Sequence, residues 1–305
     1  MTNAFTPGTY RLFQYSGALG GGARSLVWVG GANTNAWDRF STTNWFDGVN
    51  LTNFADFDRV TFDNTSTNLT ANLFVALTPA SVTVDSTNNY TIGGLAKLTD
   101  ATILTKQGSS TLTLSSTNDF TGPVYVNAGT LKQGCSNALG NATSITVSNG
   151  AQFDINGIYN DSKAYSFILA GGGSDGLGAL RNNAGGATWA GVRNVTLTDD
   201  AAIYINARFD MGRAAGVAGG LINGNGHRLT KNGPAEIPFH TTMTNLAELI
   251  INTGLIYCES TDYSLGTNVT VNAGARVGAY SIRINNCAVT LNSATLEATG
   301  NATPT

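Results

Sequence analysis

The sequence has few charged residues, and this shortage excludes two classes of protein. Only 11% of the 305 residues are charged, and the formal net charge is −3. Helices of soluble proteins need charged residues on their exposed faces, and disordered chains combine low hydrophobicity with high net charge. Because 42% of the residues are hydrophobic, the chain fits neither description. The 16 Lys and Arg residues, against 19 Asp and Glu, form no basic cluster, which argues against a nucleic-acid partner.

Cysteine and histidine are also scarce, and their spacing indicates no metal site. Cys135, Cys258 and Cys287 include no CxxC pair, so free thiols or small core residues are favoured over a disulfide pair. His227 and His240 do not have the spacing of metal ligands. We therefore expect no metal and no cofactor.

The abundant residues are those of strands and tight turns. The chain has 37 Gly and 33 Asn, which favour turns with positive φ, together with many Thr, Val and Ile, which favour strands. Polar and apolar residues alternate, as in strands with one buried face, in residues 81–85, 144–147, 194–198, 201–205 and 281–285. No segment is a convincing helix, and none is apolar for long enough to span a membrane as one.

An internal repeat is the strongest signal in the sequence. Residues 104–151 and 229–275 share a motif, Leu-Thr-Lys-x-Gly, followed by two valine- or isoleucine-rich segments that each end near a glycine. Four pairs of glycines hold one nearly constant offset between the two units: Gly108 and Gly233, Gly129 and Gly254, Gly140 and Gly266, and Gly150 and Gly274. Within each unit, the anchors Gly129 and Gly150, or Gly254 and Gly274, repeat with a period of about 20 residues, which is typical of one coil of a β-solenoid.

The first unit resembles a known family. Its opening run of residues 104–114, then residues 118–122 and 127–131, resemble the autotransporter-associated β-strand repeat (PATR) of bacterial passenger regions. The resemblance implies an all-β, right-handed, single-stranded parallel β-helix (β-solenoid), with coils of about 20–25 residues. It also implies export to the cell surface or outer membrane, help from an outer-membrane translocator, and no catalytic residues.

Three segments are expected along the chain. Residues 1–25 resemble the closing strand of a preceding unit, and residues 5–13 carry this resemblance. Residues 26–100 form a Trp-rich N-terminal module that is continuous with the solenoid, and residues 101–305 form the repeat-containing β-helix. No signal peptide follows Met1. We expect a piece of a longer secreted protein.

Four groups of residues are candidates for chemistry. Asp56, Asp58 and Asp63 could bind a cation, with Asp56 and Asp58 on one strand face, or could cap turns. The glycines of residues 171–178 and 224–226 suggest a phosphate loop or tight corners. Four tryptophans could stack on sugar rings or cover the core. They are Trp28, Trp37 and Trp45, which lie near Phe46, and the distant Trp189. The best candidate site for sugar cleavage combines three aspartates with one arginine, namely Asp199, Asp200, Asp210 and Arg208.

Two classes of function stay open. The first is a non-catalytic structural or adhesive passenger region at the cell surface, able to form filaments by end-to-end self-association. The second is a carbohydrate-binding or polysaccharide-cleaving module that recognises an extracellular glycan. Catalytic residues are expected in the second class alone. The Asn-x-Ser/Thr sites, such as Asn50, Asn141 and Asn194, are interpreted as strand and turn composition.

Overall fold

The computed structural model describes residues 23–31, 35–158, 163, 165–184, 190–213, 219–259, 264–279 and 287–298. In these ranges the chain is all-β, and its mostly parallel strands stack as a β-solenoid of about 10 turns. The predicted fold class is therefore confirmed. No helix in the described ranges is long and apolar enough to cross a membrane. Trp189 and the strand patterns expected within residues 5–13 and 281–285 lie outside the described residues.

Three stacks of strands follow the solenoid axis, and we name them faces 1, 2 and 3. Face 1 contains Ser25–Trp28, Arg59–Phe62, Ser81–Asp85, Ile103–Gln107, Val124–Val126, Ile145–Val147, Ser166–Gly171, the first part of Asn194–Ile205, Ile222–Asn223 and Met243–Thr244. Face 2 contains Ala36–Trp37, Thr70–Leu73, Tyr90–Gly94, Thr111–Leu114, Gly129–Gln133, Ala151–Asp154, Leu180–Asn182, the second part of Asn194–Ile205, Arg228–Asn232, Glu248–Ile251, Asn268–Val271 and Ala288–Leu291.

Face 3 is a corner in the early coils and a sheet in the later ones. A bridge joins Leu77 to Leu98 in the early part. The later sheet contains Gly191–Val192, Asp210–Met211, Glu236–Phe239, Leu255–Cys258, Arg276–Ala279 and Thr295–Ala298. An antiparallel hairpin, Trp45–Phe46 with Leu51–Thr52, adds to the first strand of face 1.

The core follows from the alternation seen in the sequence. In Ser81–Asp85 the side chains of Val82 and Val84 are fully buried, while the polar residues between and after them are partly or fully exposed. Successive side chains of a strand point to opposite sides, so each coil contributes its apolar set to one continuous interior column. Stacking buries these side chains against the coils on either side, which is why no coil is stable alone.

Coil length is regular in both repeat units and longer between them. Hydrogen bonds between neighbouring coils join Thr130 to Gln152, which is 22 residues along the chain, and Asn252 to Asn272, which is 20 residues along. Between the units, Asn194 accepts a hydrogen bond from the amide of Leu221, 27 residues along. Here the two strands expected within residues 194–198 and 201–205 form one strand, Asn194–Ile205, which pairs on both face 1 and face 2.

The two repeat units occupy different faces. Leu104 of the first unit pairs along face 1 with Val82 and Val124. Its counterpart Leu229 pairs along face 2 with Ala201 and Leu249. The second unit is thus rotated by one face of the coil relative to the first, so equivalent outer positions of the two units lie on different sides of the solenoid.

Candidate functional site

The three N-terminal aspartates are separated from one another by their partners. Asp58 is buried and forms an ion pair with Arg24 at 2.5 Å. Asp56 forms an ion pair with Arg39 at 2.7 Å, and Asp63 accepts a hydrogen bond from the Thr65 amide at 2.8 Å. Residues 56–58 form a turn before the strand, so the expectation that two of these carboxylates share a strand face is wrong. Each one closes a local turn or ion pair.

The three tryptophans among the described residues cover the core. Trp28, Trp37 and Trp45 are fully buried, and their ring centroids lie 5.0 Å (Trp28–Trp45) and 5.1 Å (Trp37–Trp45) apart in edge-to-face contacts. Phe54 and Phe62 complete the cluster. The covering interpretation is the one that the structure supports for these three residues, since none offers an exposed face for a sugar ring.

The glycine stretches form corners. Gly171, Gly173 and Gly176 have φ values of 75°, 76° and 75°, which favour glycine, and no helix of the described chain follows them. Asn225 and Gly226 turn the chain with φ values of 50° and 84°. Neither corner carries the helix N-terminus that a phosphate loop requires.

The four residues proposed for sugar cleavage form two separate groups. Asp199 and Asp200 lie in the middle of the long strand Asn194–Ile205, where it passes from face 1 to face 2. Arg208 and Asp210 belong to face 3, where the Arg208 Nε donates a hydrogen bond to Asp210 Oδ1 at 3.0 Å. The expected single cluster is therefore replaced by two.

Residues from two further coils surround Arg208, and we call this set the Arg208 group. Its guanidinium lies 3.7 Å from a Glu236 carboxylate oxygen and 3.5 Å from one of Glu259. His240 Nε2 lies 3.4 Å from Asp210 Oδ2. Asp210 and His240 are buried, whereas the Glu236 side chain is 40% exposed. One guanidinium thus connects carboxylates from three successive coils.

The charges of the Arg208 group limit its chemistry. Burial opposes the charge of Arg208, but the Asp210 carboxylate outweighs it and raises the pKa of the guanidinium. Burial, with the nearby carboxylates, raises the pKa of the Tyr257 phenol to about 12. A permanently protonated arginine cannot act as a base, and its carboxylate partners compete with any acidic sugar for it. The group therefore resembles an ion-pair network between coils more than a catalytic centre.

The second group is the one set of possible metal ligands that the described residues bring together. Single ligand atoms of Asp199, Asp200 and His227 lie within 4.8 Å of one another. Both carboxylates are exposed, and Asp200 already accepts a hydrogen bond from the Arg228 amide at 2.8 Å. The Arg228 guanidinium, 3.9 Å from Asp200, opposes a bound cation.

An open groove runs over the later coils of face 2. It has a volume of about 390 Å³, and its polar lining includes Arg228, Glu248, Asn268, Thr270 and Thr290. Glu248 accepts a hydrogen bond from the Thr270 hydroxyl at 2.6 Å. The lining residues come from successive coils, so donors and acceptors repeat at the spacing of neighbouring strands, roughly 4.8 Å.

An asparagine ladder borders this part of face 2. Asn252 donates to Asn232 at 2.9 Å, Asn272 donates to Asn252 at 2.7 Å, and Asn292 donates to Asn272 at 3.0 Å. Each inner amide both donates to one coil and accepts from the next, so the row links four coils with side-chain hydrogen bonds. Sequence analysis missed this row, although its spacing of 20 residues is visible once the register is known.

Each repeat unit buries its lysine completely. Lys106 Nζ donates to the carbonyl oxygens of Gln107, Gly108 (2.8 Å) and Ala128 (3.3 Å). In the second unit the same pattern recurs at Lys231, whose Nζ donates to carbonyls of the equivalent residues, namely Asn232 (3.4 Å), Gly233 (2.5 Å) and Thr253 (2.8 Å).

The comparison with known families matches this part of the chain. Residues 104–132 match the family model of the passenger-associated-transport-repeat. The chain carries this autotransporter passenger repeat. The matched residues include Lys106, Gly108 and Gly129, and the structure shows the same lysine contacts in the second unit, beyond the matched range. No curated protein and no solved structure matches the chain.

Proposed function

We propose that this passenger-repeat chain is a non-catalytic shaft, exported and displayed at the bacterial surface, which provides length, rigidity and a polar surface. The observation that carries the proposal is the passenger repeat built into one stack of coils with a continuous core. The low charge and the burial of Trp28, Trp37 and Trp45 support it, because the described residues offer no exposed tryptophan on which a sugar ring could stack.

Export and surface display can be tested together. The chain is placed between a signal peptide and an autotransporter translocator in a Gram-negative host, and intact cells are treated with protease. We expect a surface-exposed, folded chain that is cut only slowly. A matched fusion with Val126→Asp, which places a charge in the core, should be cut rapidly. Accumulation of the unaltered chain inside the cell would contradict the proposal.

Binding to an extracellular glycan is the second candidate, and the groove of face 2 favours it. Regularly spaced polar groups can hydrogen-bond a linear sugar polymer that lies along the axis. Binding on a glycan array that is lost in Arg228→Ala with Glu248→Gln, and kept in the control Arg276→Ala on face 3, would support this role. An array without specific binding would remove this candidate and leave the shaft role untouched.

Self-association is the remaining proposal for a partner. Parallel solenoids pair backbone to backbone between coils, so a second copy offers the chemistry that matches a terminal coil. Light scattering and negative-stain microscopy across a dilution series test it. Fibres of uniform width that grow with concentration would support it, and a constant monomer mass would refute it.

A further inference from the structure

The buried lysines point to a device that joins consecutive coils. We propose that Lys106 and Lys231 are internal cations, each of which latches its own coil to the following one through a cage of three carbonyl oxygens. The proposal rests only on contacts within the solenoid, so its tests do not depend on the function proposed above.

The cage spans two coils. Two of the three oxygens around Lys231 belong to Asn232 and Gly233, directly after it in the chain. The third, of Thr253, is 22 residues away in the next coil. The cage of Lys106 has the same composition, with the distant oxygen on Ala128. The cage is complete only when the following coil is in place, so addition of that coil and capture of the lysine are one event.

The number of oxygens matches a protonated lysine. An ammonium group has three N–H donors and no acceptor, and three carbonyl oxygens satisfy all of them. A neutral amine would turn its lone pair towards one of these oxygens. Charge-assisted hydrogen bonds are roughly twice as strong as neutral ones, which offsets part of the cost of burying the charge.

Glycines in the following coil make room for the latch. A Cβ atom on Gly129 would lie 2.7 Å from Lys106 Nζ, and one on Gly254 would lie 2.5 Å from Lys231 Nζ. Both glycines have positive φ, at 64° and 75°. The lysine of one coil and the glycine of the next therefore form one structural pair, and both units contain it.

The last glycine anchor of each unit lacks this crowding. Gly150 and Gly274 also have positive φ, at 82° and 80°, but a Cβ on either would meet nothing within 4 Å. They are needed for the turn alone, whereas a Cβ on Gly129 or Gly254 would also crowd the lysine and the backbone carbonyl oxygens around it. The repeat period thus contains two kinds of glycine with different roles.

The first test removes the ammonium and supplies it from solution. In Lys231→Ala the missing atoms correspond to n-propylammonium. We expect the thermal midpoint of this variant to fall by about 5 °C or more, and n-propylammonium chloride to restore part of the loss. Tetramethylammonium chloride, which has the charge but no N–H donor, should not restore it, and neither salt should raise the midpoint of the unaltered protein.

A second variant covers the case in which Lys231→Ala does not fold. Lys231→Met keeps the length and the apolar stem but removes the donors, and Lys132→Met, at a half-buried lysine outside the cages, is its control. We expect Lys231→Met to lower the midpoint and to speed hydrogen exchange at the corners near residues 233 and 253, with little change in the control. A midpoint at or above that of the unaltered protein in Lys231→Met, or rescue by both salts alike, would overturn the proposal.

Discussion

Replacing each of two glycines by alanine should separate the cost of the turn from the cost of crowding the latch. Gly150→Ala puts an L side chain at positive φ in open space, which costs about 1–2 kcal/mol. A gain of about 0.4–1 kcal/mol from the stiffer unfolded chain offsets part of this cost. Gly129→Ala has the same two terms, but its Cβ would also lie 2.3 Å from the Ser110 carbonyl oxygen and 2.5 Å from that of Gly108, besides its approach to Lys106 Nζ. Backbone cannot yield as a flexible side chain can, and overpacking adds about 1–3 kcal/mol.

The measurement is the thermal midpoint of both variants, with hydrogen exchange to locate the loss. We expect Gly150→Ala to be mildly destabilised and Gly129→Ala to be less stable than Gly150→Ala by about 2 kcal/mol, which is several degrees. Exchange should accelerate around residues 106–110 in Gly129→Ala alone. Equal midpoints for the two variants would refute the reasoning, because crowding at Gly129 would then add no cost beyond that of the turn.

Three further predictions concern the core, the ladder and the pH response. Val147→Asp should unfold neighbouring coils together, since it buries an unpaired charge, while Thr146→Asp on the outer side of the same strand should change the midpoint little; circular dichroism melts compare them. Asn252→Ala should cost about 1 kcal/mol through two lost ladder bonds in the same melts, and a larger loss than for Val147→Asp would contradict that assignment. Burial lowers the pKa of Lys231 to about 7 from 10.5, because the carbonyl cage offsets only part of the cost of burying the ammonium. The cage therefore holds the ammonium below about pH 7, the unfolded chain binds more protons between these two values, and stability should rise with pH from 7 upwards. Melts from pH 6 to 8, where the thiols keep their protons in the unfolded chain too, should show a smaller rise for Lys231→Met, and parallel curves would contradict the cause.

Most of the fold could be predicted because its rules are local. The alternation in Ser81–Asp85 and the turn at Gly150 each follow from a few adjacent residues, and the constant offset between the glycine pairs of the two units shows that such segments recur. The rotation of the second unit could not be predicted. It depends on the long coils between Phe167 and Ile222, where corner loops of unequal length change which strand falls on which face.

The Arg208 group escaped sequence analysis for the same reason. Glu236 and Glu259 reach Arg208 only because they lie one and two coils further along the chain. Asp199 and Asp200 are much closer in sequence, yet they belong to another face. In a solenoid, the register of the coils decides which residues are close together. Acidic residues one and two coil lengths after Arg208 are therefore the sequence signal that could have revealed Glu236 and Glu259.

The rotation indicates what the repeat signature encodes. Leu104 and Lys106 of the first unit are buried, as are Leu229 and Lys231 of the second, and each lysine keeps its three carbonyl partners although the units lie on different faces. At the equivalent outer positions the residues differ, because Tyr125 of the first unit corresponds to Ile250 of the second. The signature therefore specifies the interior and the joint to the next coil, and it leaves the outer surface free to vary. The unit occurs on two faces with the same lysine contacts, after connecting coils that are longer than those within the units. A solenoid built from such units therefore directs different surfaces to different sides.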